Sequence, residues 1–231
     1  MEWKILRLDE VDSTNEYAKK LIPDAPEGTV VVAKRQTTGR GRRGRAWASP
    51  EGGLWMSVVL KPPKIDPRLV FVGALAVADT LRDFGIDAWI KWPNDVWVGE
   101  KKISGILTEA KGSSVIMGIG LNVNNEIPNE LKETAVSMKG LLDKSVNLEE
   151  VLKKLLHHLG HWYGVFLENP ALLVGEVRER TVLIGKKVRV LQDGGELVGT
   201  VVDVSGDGSL LLDVDGQIIK VLYGDVSLRI I

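Results

Sequence analysis

The chain has no cysteine. Disulfides, thiolate nucleophiles and Cys-ligated zinc or iron–sulfur sites are therefore excluded at the outset. It also has almost no net charge: 30 Lys and Arg stand against 31 Asp and Glu, a formal charge of -1. So weak a field does not draw nucleic acid or an anionic membrane to the protein as a whole. No apolar run approaches the roughly 20 residues of a membrane span. Met1-Glu2-Trp3-Lys4 does not open a signal peptide, and a cytoplasmic protein is expected. Histidine is scarce, and His157, His158 and His161 fall in one short stretch. His157 and His161 are one helical turn apart, a spacing known from metal sites. No acidic or Cys partner has zincin spacing, so a packing or surface role is expected. No histidine lies near the basic segment described next, which argues against a Ser-His-Asp triad. There is no long internal repeat and no low-complexity tail.

What the chain does have is Gly39-Arg40-Gly41-Arg42-Arg43-Gly44-Arg45, four guanidinium groups and three glycines in seven residues. Neither a helical nor a strand period survives there. The expected structure is a flexible cationic loop that takes an anion with backbone N–H groups and Arg forks together. Around it the chain alternates between strand and helix signals. Residues 3–8, 29–34, 54–61, 89–92, 96–98, 103–109 and 115–123 read as strands. Ser13 and Glu16 have capping-box spacing and start a helix to about residue 22. Residues 67–84 read as a core helix, 148–166 as an amphipathic helix capped by Asn147, and 171–180 as another. Residues 125–143 read as a loop with a short helix. After Thr181 the texture changes to short strands at 188–191, 197–204, 210–214, 218–222 and 226–230. Gly194-Gly195, Gly206-Asp207-Gly208 and Asp215-Gly216 punctuate them as hairpin signals. The expected organisation is a domain over 1–180 and a small antiparallel barrel over 181–231. A unit that small is marginal alone and should dock on the larger one.

Four constellations could carry chemistry. The Gly/Arg loop is flanked by Gln36-Thr37-Thr38 and by Trp47. An aromatic plane beside Arg groups suits a nucleotide, whose base stacks while the guanidinium groups take phosphate. A solvated basic hairpin that touches RNA nonspecifically stays open as the plain alternative. In Lys91-Trp92-Pro93-Asn94-Asp95, Pro-Asn-Asp is ordinary turn chemistry. However, either Lys91 or Trp92 should face inward, and a buried Lys needs an anionic partner. In Lys101-Lys102-Ile103-Ser104-Gly105-Ile106-Leu107, Gly105 permits close backbone approach beside a lysine that could reach a ligand. In Gly118-Ile119-Gly120-Leu121-Asn122, the Gly-x-Gly alone is weak, but the two-sided amide of Asn122 could read an adenine edge.

Together, Asp12-Ser13-Thr14-Asn15, the segment 36–47, Lys91-Trp92-Pro93-Asn94-Asp95 and Lys102-Ile103-Ser104-Gly105-Ile106-Leu107 make the chain resemble the biotin–protein ligases, also called biotin–[acetyl-CoA-carboxylase] ligases. The resemblance spans nearly the whole chain. It implies an α+β fold, with a mixed-sheet, class II synthetase-like catalytic domain with helices and a C-terminal SH3-like β-barrel. It further implies ATP-dependent activation of biotin as biotinyl-5′-AMP, with Mg²⁺, and transfer to a lysine of a biotin carboxyl carrier protein. By the same resemblance Ser13, Thr14, Asn15, Gln36, Arg40, Gly41, Arg42 and Lys102 are biotin-pocket residues. Arg42, Arg45, Trp47, Lys91, Asn94 and Asn122 form the ATP side, and Lys102 and Arg42 are the catalytic pair. Ser13 keeps the competing role of helix cap. The metal ligands are not identified. Homodimers are expected, because ligases of this type often pair through sheet edges. Some members begin with a helix-turn-helix domain and repress biotin-synthesis genes. Here the catalytic pattern already starts at Asp12, so a ligase without sequence-specific DNA binding is expected. A lipoate–protein ligase and, in a different class, an RNA-binding module are the alternatives. The dense Gly-Arg loop and the Lys-Trp-Pro-Asn-Asp segment favour biotin over lipoate. The missing basic balance disfavours RNA.

Overall fold

In the computed structural model, which describes residues 1–192, 195–222 and 227–231, the first seven strands make one mixed sheet. They are β1 (Lys4–Val11), β2 (Thr29–Gln36), β3 (Leu54–Leu60), β4 (Trp89–Lys91), β5 (Asp95–Val98), β6 (Lys101–Lys111) and β7 (Ser114–Leu121), in the order β1-β2-β3-β7-β6-β5-β4. Only β1 and β2 run parallel; every other neighbouring pair is antiparallel. β3, Leu-Trp-Met-Ser-Val-Val-Leu, is buried at every position. Such an apolar run belongs in the middle of a sheet covered on both faces.

Two helix layers provide the cover. α2 (Leu69–Asp83) is buried along nearly its whole length, packed between the sheet and α4 (Leu148–Glu168). α1 (Thr14–Leu21) covers the opposite face, where Ala18 meets Val31, Val59 and Ile116. The caps fall where the sequence places them. Ser13 accepts from the Glu16 N–H, and Asn147 accepts from the N–H groups of Glu149 and Glu150. α5 (Pro170–Arg180) starts one residue before the expected position. Asn169 caps it, and Pro170 takes a first-turn position where no N–H is needed. α3 (Met138–Leu142) is the short helix expected within 125–143.

Several strands are longer than the alternation suggests, and the extensions of β1 and β6 matter to the site. β1 continues to Val11 because it pairs in parallel with β2 as far as Gln36. β6 starts at Lys101 because its first residues pair with β5 and form a bridge from Lys102 to Ala135.

The remaining strands, β8 (Lys187–Gln192), β9 (Gly195–Val204), β10 (Leu210–Val214), β11 (Gln217–Val221) and β12 (Ser227–Ile230), form a five-stranded antiparallel sheet in the order β11-β10-β9-β8-β12. At the β10–β11 turn, Asp215 and Gly216 both take positive φ, 51° and 84°, as a tight hairpin requires. Gly194 of one expected turn and Val226 at the start of the last expected strand lie outside the described residues. The main apolar cluster runs without a break from α2 and α4 into Val188, Val190, Val201, Val204, Leu210 and Leu212 of this second sheet. Polar ties reinforce the packing: Trp92 Nε1 donates to the Gly208 carbonyl at 2.8 Å, and Arg68 Nη1 to that of Gly206 at 3.1 Å. Among the described residues no helix is long and apolar enough to cross a membrane.

Candidate binding site

A cavity of about 340 Å³ lies between the Gly/Arg loop, the 91–95 turn, β6, β7 and the segment 127–135. Its lining contains every residue that the family resemblance assigns to the biotin and ATP sites: Ser13, Thr14, Asn15, Gln36, Arg40, Gly41, Arg42, Arg45, Trp47, Lys91, Asn94, Lys102 and Asn122. They come from six separate segments, and only the sheet order brings them together.

One end of the cavity is neutral. Thr14 and Asn15 open α1, while Gln36 closes β2. The bonds from Thr37 N to Val11 O and from Thr38 N to Asp12 O, both 2.9 Å, lay these two segments side by side. Gln36 Oε1 accepts from the Thr14 N–H at 2.8 Å and lies 3.1 Å from the Thr14 hydroxyl oxygen. Ser57, fully buried in β3, contacts Thr14 Oγ1 at 2.7 Å and Asn15 Oδ1 at 2.6 Å. Gly118 makes room for the Asn15 amide: a Cβ there would lie 2.2 Å from Asn15 Oδ1. Ser13 lines the cavity and caps α1 at once, so its two expected roles are compatible.

The other end is cationic and aromatic. The Gly/Arg loop is more ordered than its composition suggests. Arg40 bridges to Ala46, the Gly41 N–H donates to the Arg45 carbonyl at 2.7 Å, and a single 3₁₀ turn covers Arg42–Gly44. Within that turn Arg43 and Gly44 hold positive φ, 57° and 69°. This conformation costs an arginine more than a glycine. Arg42 Nη1 donates to Asn94 Oδ1 at 2.9 Å, and Asn94 Nδ2 donates to the Ile106 carbonyl at 2.9 Å. Asn94 thus works as a strut between loop and sheet. Trp47 lies over Gly105 and Gly120, which face each other across β6 and β7. A Cβ at Gly120 would lie 2.5 Å from Trp47 Nε1, and one at Gly105 would lie 3.1 Å from the ring and from Lys102 Nζ. The Gly-x-Gly of β7 therefore clears space for an indole on one side and an amide on the other. Trp47 Nε1 is buried with no hydrogen-bond partner among the described residues.

Lys102 Nζ sits 2.7 Å from Asp95 Oδ1 and 4.9 Å from the Trp47 ring centroid. Its backbone is pinned on both sides, donating to Thr134 O at 2.8 Å and accepting from Val136 N at 3.0 Å. Of the Lys91–Trp92 pair, Trp92 faces the core, only 1% exposed. Lys91 is half-buried and lies 4.1 Å from the Trp97 ring centroid. Burial pushes the Lys91 ammonium below the usual lysine range. Asp95 opposes that shift, while Lys102, Arg229 and Arg45 add like charge.

Asn122 borders the cavity, and each end of its amide already has one partner within the chain. Nδ2 donates to the Val136 carbonyl at 3.1 Å, and Oδ1 accepts from Asn125 at 3.1 Å. A buried amide must be paired, and here the chain itself supplies the partners. The histidines lie apart from the cavity: His158 Nε2 is 3.1 Å from Asp83 Oδ2, and His161 packs edge-on against Trp162.

Sequence reasoning overlooked Asp95 as the Lys102 partner, Ser57, and the wall formed by Ile127, Pro128, Leu131, Thr134 and Ala135. Ser57 did leave a signal, as a lone hydroxyl in an otherwise apolar strand. Asp95 in a Pro-Asn-Asp turn and the irregular wall left none.

Residues 8–124 match the model of the Biotin/lipoate A/B protein ligase family, and residues 183–229 match the Biotin protein ligase C terminal domain. The chain is 36% identical over 235 residues to the bifunctional ligase/repressor BirA of Bacillus subtilis, covering 95% of this chain and 72% of that one. It is 34% identical to a biotin–[acetyl-CoA-carboxylase] ligase of Mycobacterium tuberculosis, over 87% of this chain and 79% of that one. The structure superposes on the biotin protein ligase of Aquifex aeolicus in complex with biotin and ATP with a TM-score of 0.92. The two are 37% identical, over 98% of this chain and 99% of that one.

Proposed function

The chain belongs to the Biotin/lipoate A/B protein ligase family, among its biotin–[acetyl-CoA-carboxylase] ligases, and from that premise we propose that it activates biotin as biotinyl-5′-AMP and passes it to a carrier lysine. In the first step a biotin carboxylate oxygen bonds to the α-phosphorus of ATP, and the bond from that phosphorus to the bridging oxygen breaks, releasing pyrophosphate. In the second, the neutral ε-amine of a lysine on a biotin carboxyl carrier protein attacks the acyl carbon. AMP leaves with the electron pair, and the nitrogen loses a proton to give the amide.

The observation that carries this reading is the charge of the lining: Arg40, Arg42, Arg43, Arg45, Lys91 and Lys102 against one carboxylate, Asp95. Two anions must meet in the first step, and negative charge grows on the α-phosphoryl oxygens. Fixed cations offset both the repulsion and the growth of charge. Lys102, at the cationic end and steadied by Asp95, holds the biotin carboxylate against the α-phosphate. Arg42, anchored to Asn94, holds the loop over the phosphates. Trp47 offers its face to the adenine. The neutral end, with Thr14, Asn15 and Gln36, takes the ureido head of biotin. The loop and the 127–135 wall exclude water from the mixed anhydride.

Mg²⁺ belongs to this reading as the partner of the ATP phosphates, not as a resident of the protein. Among the described residues no group of three His, Asp or Glu is placed to hold a metal, and Asp95 is taken by Lys102. No step above is assigned to the ion. A homodimer and a cytoplasmic setting complete the proposal.

The test is incubation with biotin, Mg-ATP and a biotin carrier domain, followed by the mass of the carrier. A gain of one biotinyl group, with pyrophosphate released beforehand, is expected. Calorimetric titration that finds lipoate bound and biotin not bound overturns the choice of acid.

A further inference from the structure

A continuous run of polar contacts passes behind the cavity and both starts and ends on the Gly/Arg loop. Arg40 Nη1 donates to Glu16 Oε1 at 2.9 Å, and the same oxygen accepts from Lys19 Nζ at 2.9 Å. Lys19 Nζ donates also to Glu109 Oε1 at 2.6 Å. The second Glu109 oxygen, Oε2, accepts from Asn15 Nδ2 at 2.8 Å. Beyond Asn15 the run continues through Ser57, Thr14 and Gln36. Gln36 Nε2 donates to Ser49 Oγ at 2.8 Å, and Ser49 Oγ donates to the Trp47 carbonyl at 3.0 Å. Glu16, Lys19, Ser49, Ser57 and Glu109 are not part of the cavity lining; they stand behind residues that are.

Within this run the Asn15 amide has two possible orientations, and Glu109, together with the Leu107 carbonyl 3.4 Å from the same Nδ2, decides between them. An ionised carboxylate only accepts hydrogen bonds, so it must face the NH₂ group. Asn15 Oδ1 is then turned to Ser57, whose single proton goes to it. The Ser57 oxygen then accepts the single proton of the Thr14 hydroxyl, and Gln36 Oε1 is left with the Thr14 N–H. Asn15 and Ser57 are 4% and 0% exposed, so water does not relieve a wrongly turned amide. Lys19 holds Glu109 in this role. Burial works against the Lys19 ammonium, yet the Glu109 and Glu16 carboxylates outweigh it and raise its pKa, so the ammonium stays charged at neutral pH.

We propose that Glu109, anchored by Lys19, is a positioning residue for the neutral end of the cavity: it fixes the face of the Asn15 amide and, through Ser57 and Thr14, the donor and acceptor pattern offered to the ureido group of biotin. The Lys19–Glu16–Arg40 arm ties that same pattern to the Gly/Arg loop. This inference rests on the reading of the cavity as a biotin pocket.

The test compares wild type, Glu109→Gln, Asn15→Ala and the double variant by calorimetric titration with biotin, alongside biotin KM, ATP KM and kcat. Glu109→Gln keeps the shape and removes the acceptor-only group, so biotin Kd rises about tenfold. ATP KM and kcat stay within roughly twofold, as expected when only binding of one substrate is altered. In the Asn15→Ala background Glu109→Gln adds no further loss, because the two act as a unit. Should Glu109→Gln fail to fold, Lys19→Met reports on the same run and raises biotin Kd several-fold. An unchanged biotin Kd, an equal loss in the Asn15→Ala background, or a parallel rise in ATP KM overturns the positioning role. A wild type that binds no biotin overturns the proposed function first. Binding by wild type with no change in either variant overturns this inference alone.

Discussion

The two ends of the cavity are built on opposite principles. At the neutral end Thr14, Asn15, Gln36 and Ser57 satisfy one another within 3.1 Å, so the pocket is complete before anything enters it. At the other end cations crowd together, with Asp95 the one acidic residue in the lining. That end holds an excess of fixed positive charge, and within it Lys91 has its ammonium pKa lowered chiefly by burial. On the proposed function, the neutral end selects a ligand by the pattern of its hydrogen bonds, whereas the cationic end receives negative charge that arrives and then grows. A pre-formed hydrogen-bonding pocket favours affinity, and a concentration of fixed charge favours rate.

This contrast can be broken at either end. The largest effect is expected from Lys102→Met, which removes a fixed cation where charge develops. The adenylation rate, followed by pyrophosphate release, should fall roughly 10²–10³-fold. An unchanged rate would mean that the cationic end is not where charge grows. Next comes Gly118→Ala, whose Cβ would lie 2.2 Å from Asn15 Oδ1 and must displace the amide. Biotin Kd should rise about tenfold or more with ATP KM little altered, at a stability cost of about 1–3 kcal/mol. Gly120→Ala is its counterpart at the other end, with a Cβ 2.5 Å from Trp47 Nε1. Shifting the indole should raise ATP KM several-fold and leave biotin Kd, measured without ATP, unchanged. If the two alanine variants gave the same kinetic signature, the division of the cavity would fail.

The smallest effect lies away from both ends. The Arg68 guanidinium holds the Asp66 carboxyl below its usual value of 3.8, against the opposing effect of burial. A carboxylate with a depressed folded-state pKa contributes stability that is complete above the unfolded value. That stability is lost as pH falls through the folded one. Denaturant unfolding of wild type should therefore weaken below about pH 4 in a way that Asp66→Asn does not share. At neutral pH the variant should cost about 1 kcal/mol or less. Because Arg68 also reaches the Gly206 carbonyl, the loss should be felt at the second sheet, with both kinetic signatures intact.

Much of the fold was legible in the sequence because it is governed locally. The apolar run of β3, the caps Ser13 and Asn147, and the Asp215-Gly216 turn each depend on residues within a few positions. The site was legible as a list of residues, since glycine and arginine at that density have few structural uses. Their partners were another matter. Asn122 carries the residue type suited to reading a base, and its amide is also held by Val136 and Asn125, which no local pattern announced. Glu109 reads as an ordinary polar position in an alternating strand, yet it lies behind the pocket.

By itself, then, the sequence determined the helices and strands, the change to a second antiparallel sheet after Thr181, and which segments line the cavity. Period, capping and turn preference all act between near neighbours. Tertiary structure decided which side chains meet: Asn15 with Glu109, Arg42 with Asn94, Lys102 with Trp47. Those pairs depend on strand order β3-β7-β6-β5, which sets distant residues side by side. The reason is physical. A hydrogen bond or ion pair is decided within about 3 Å, and no local pattern in the chain specifies a distance between residues so far apart in sequence.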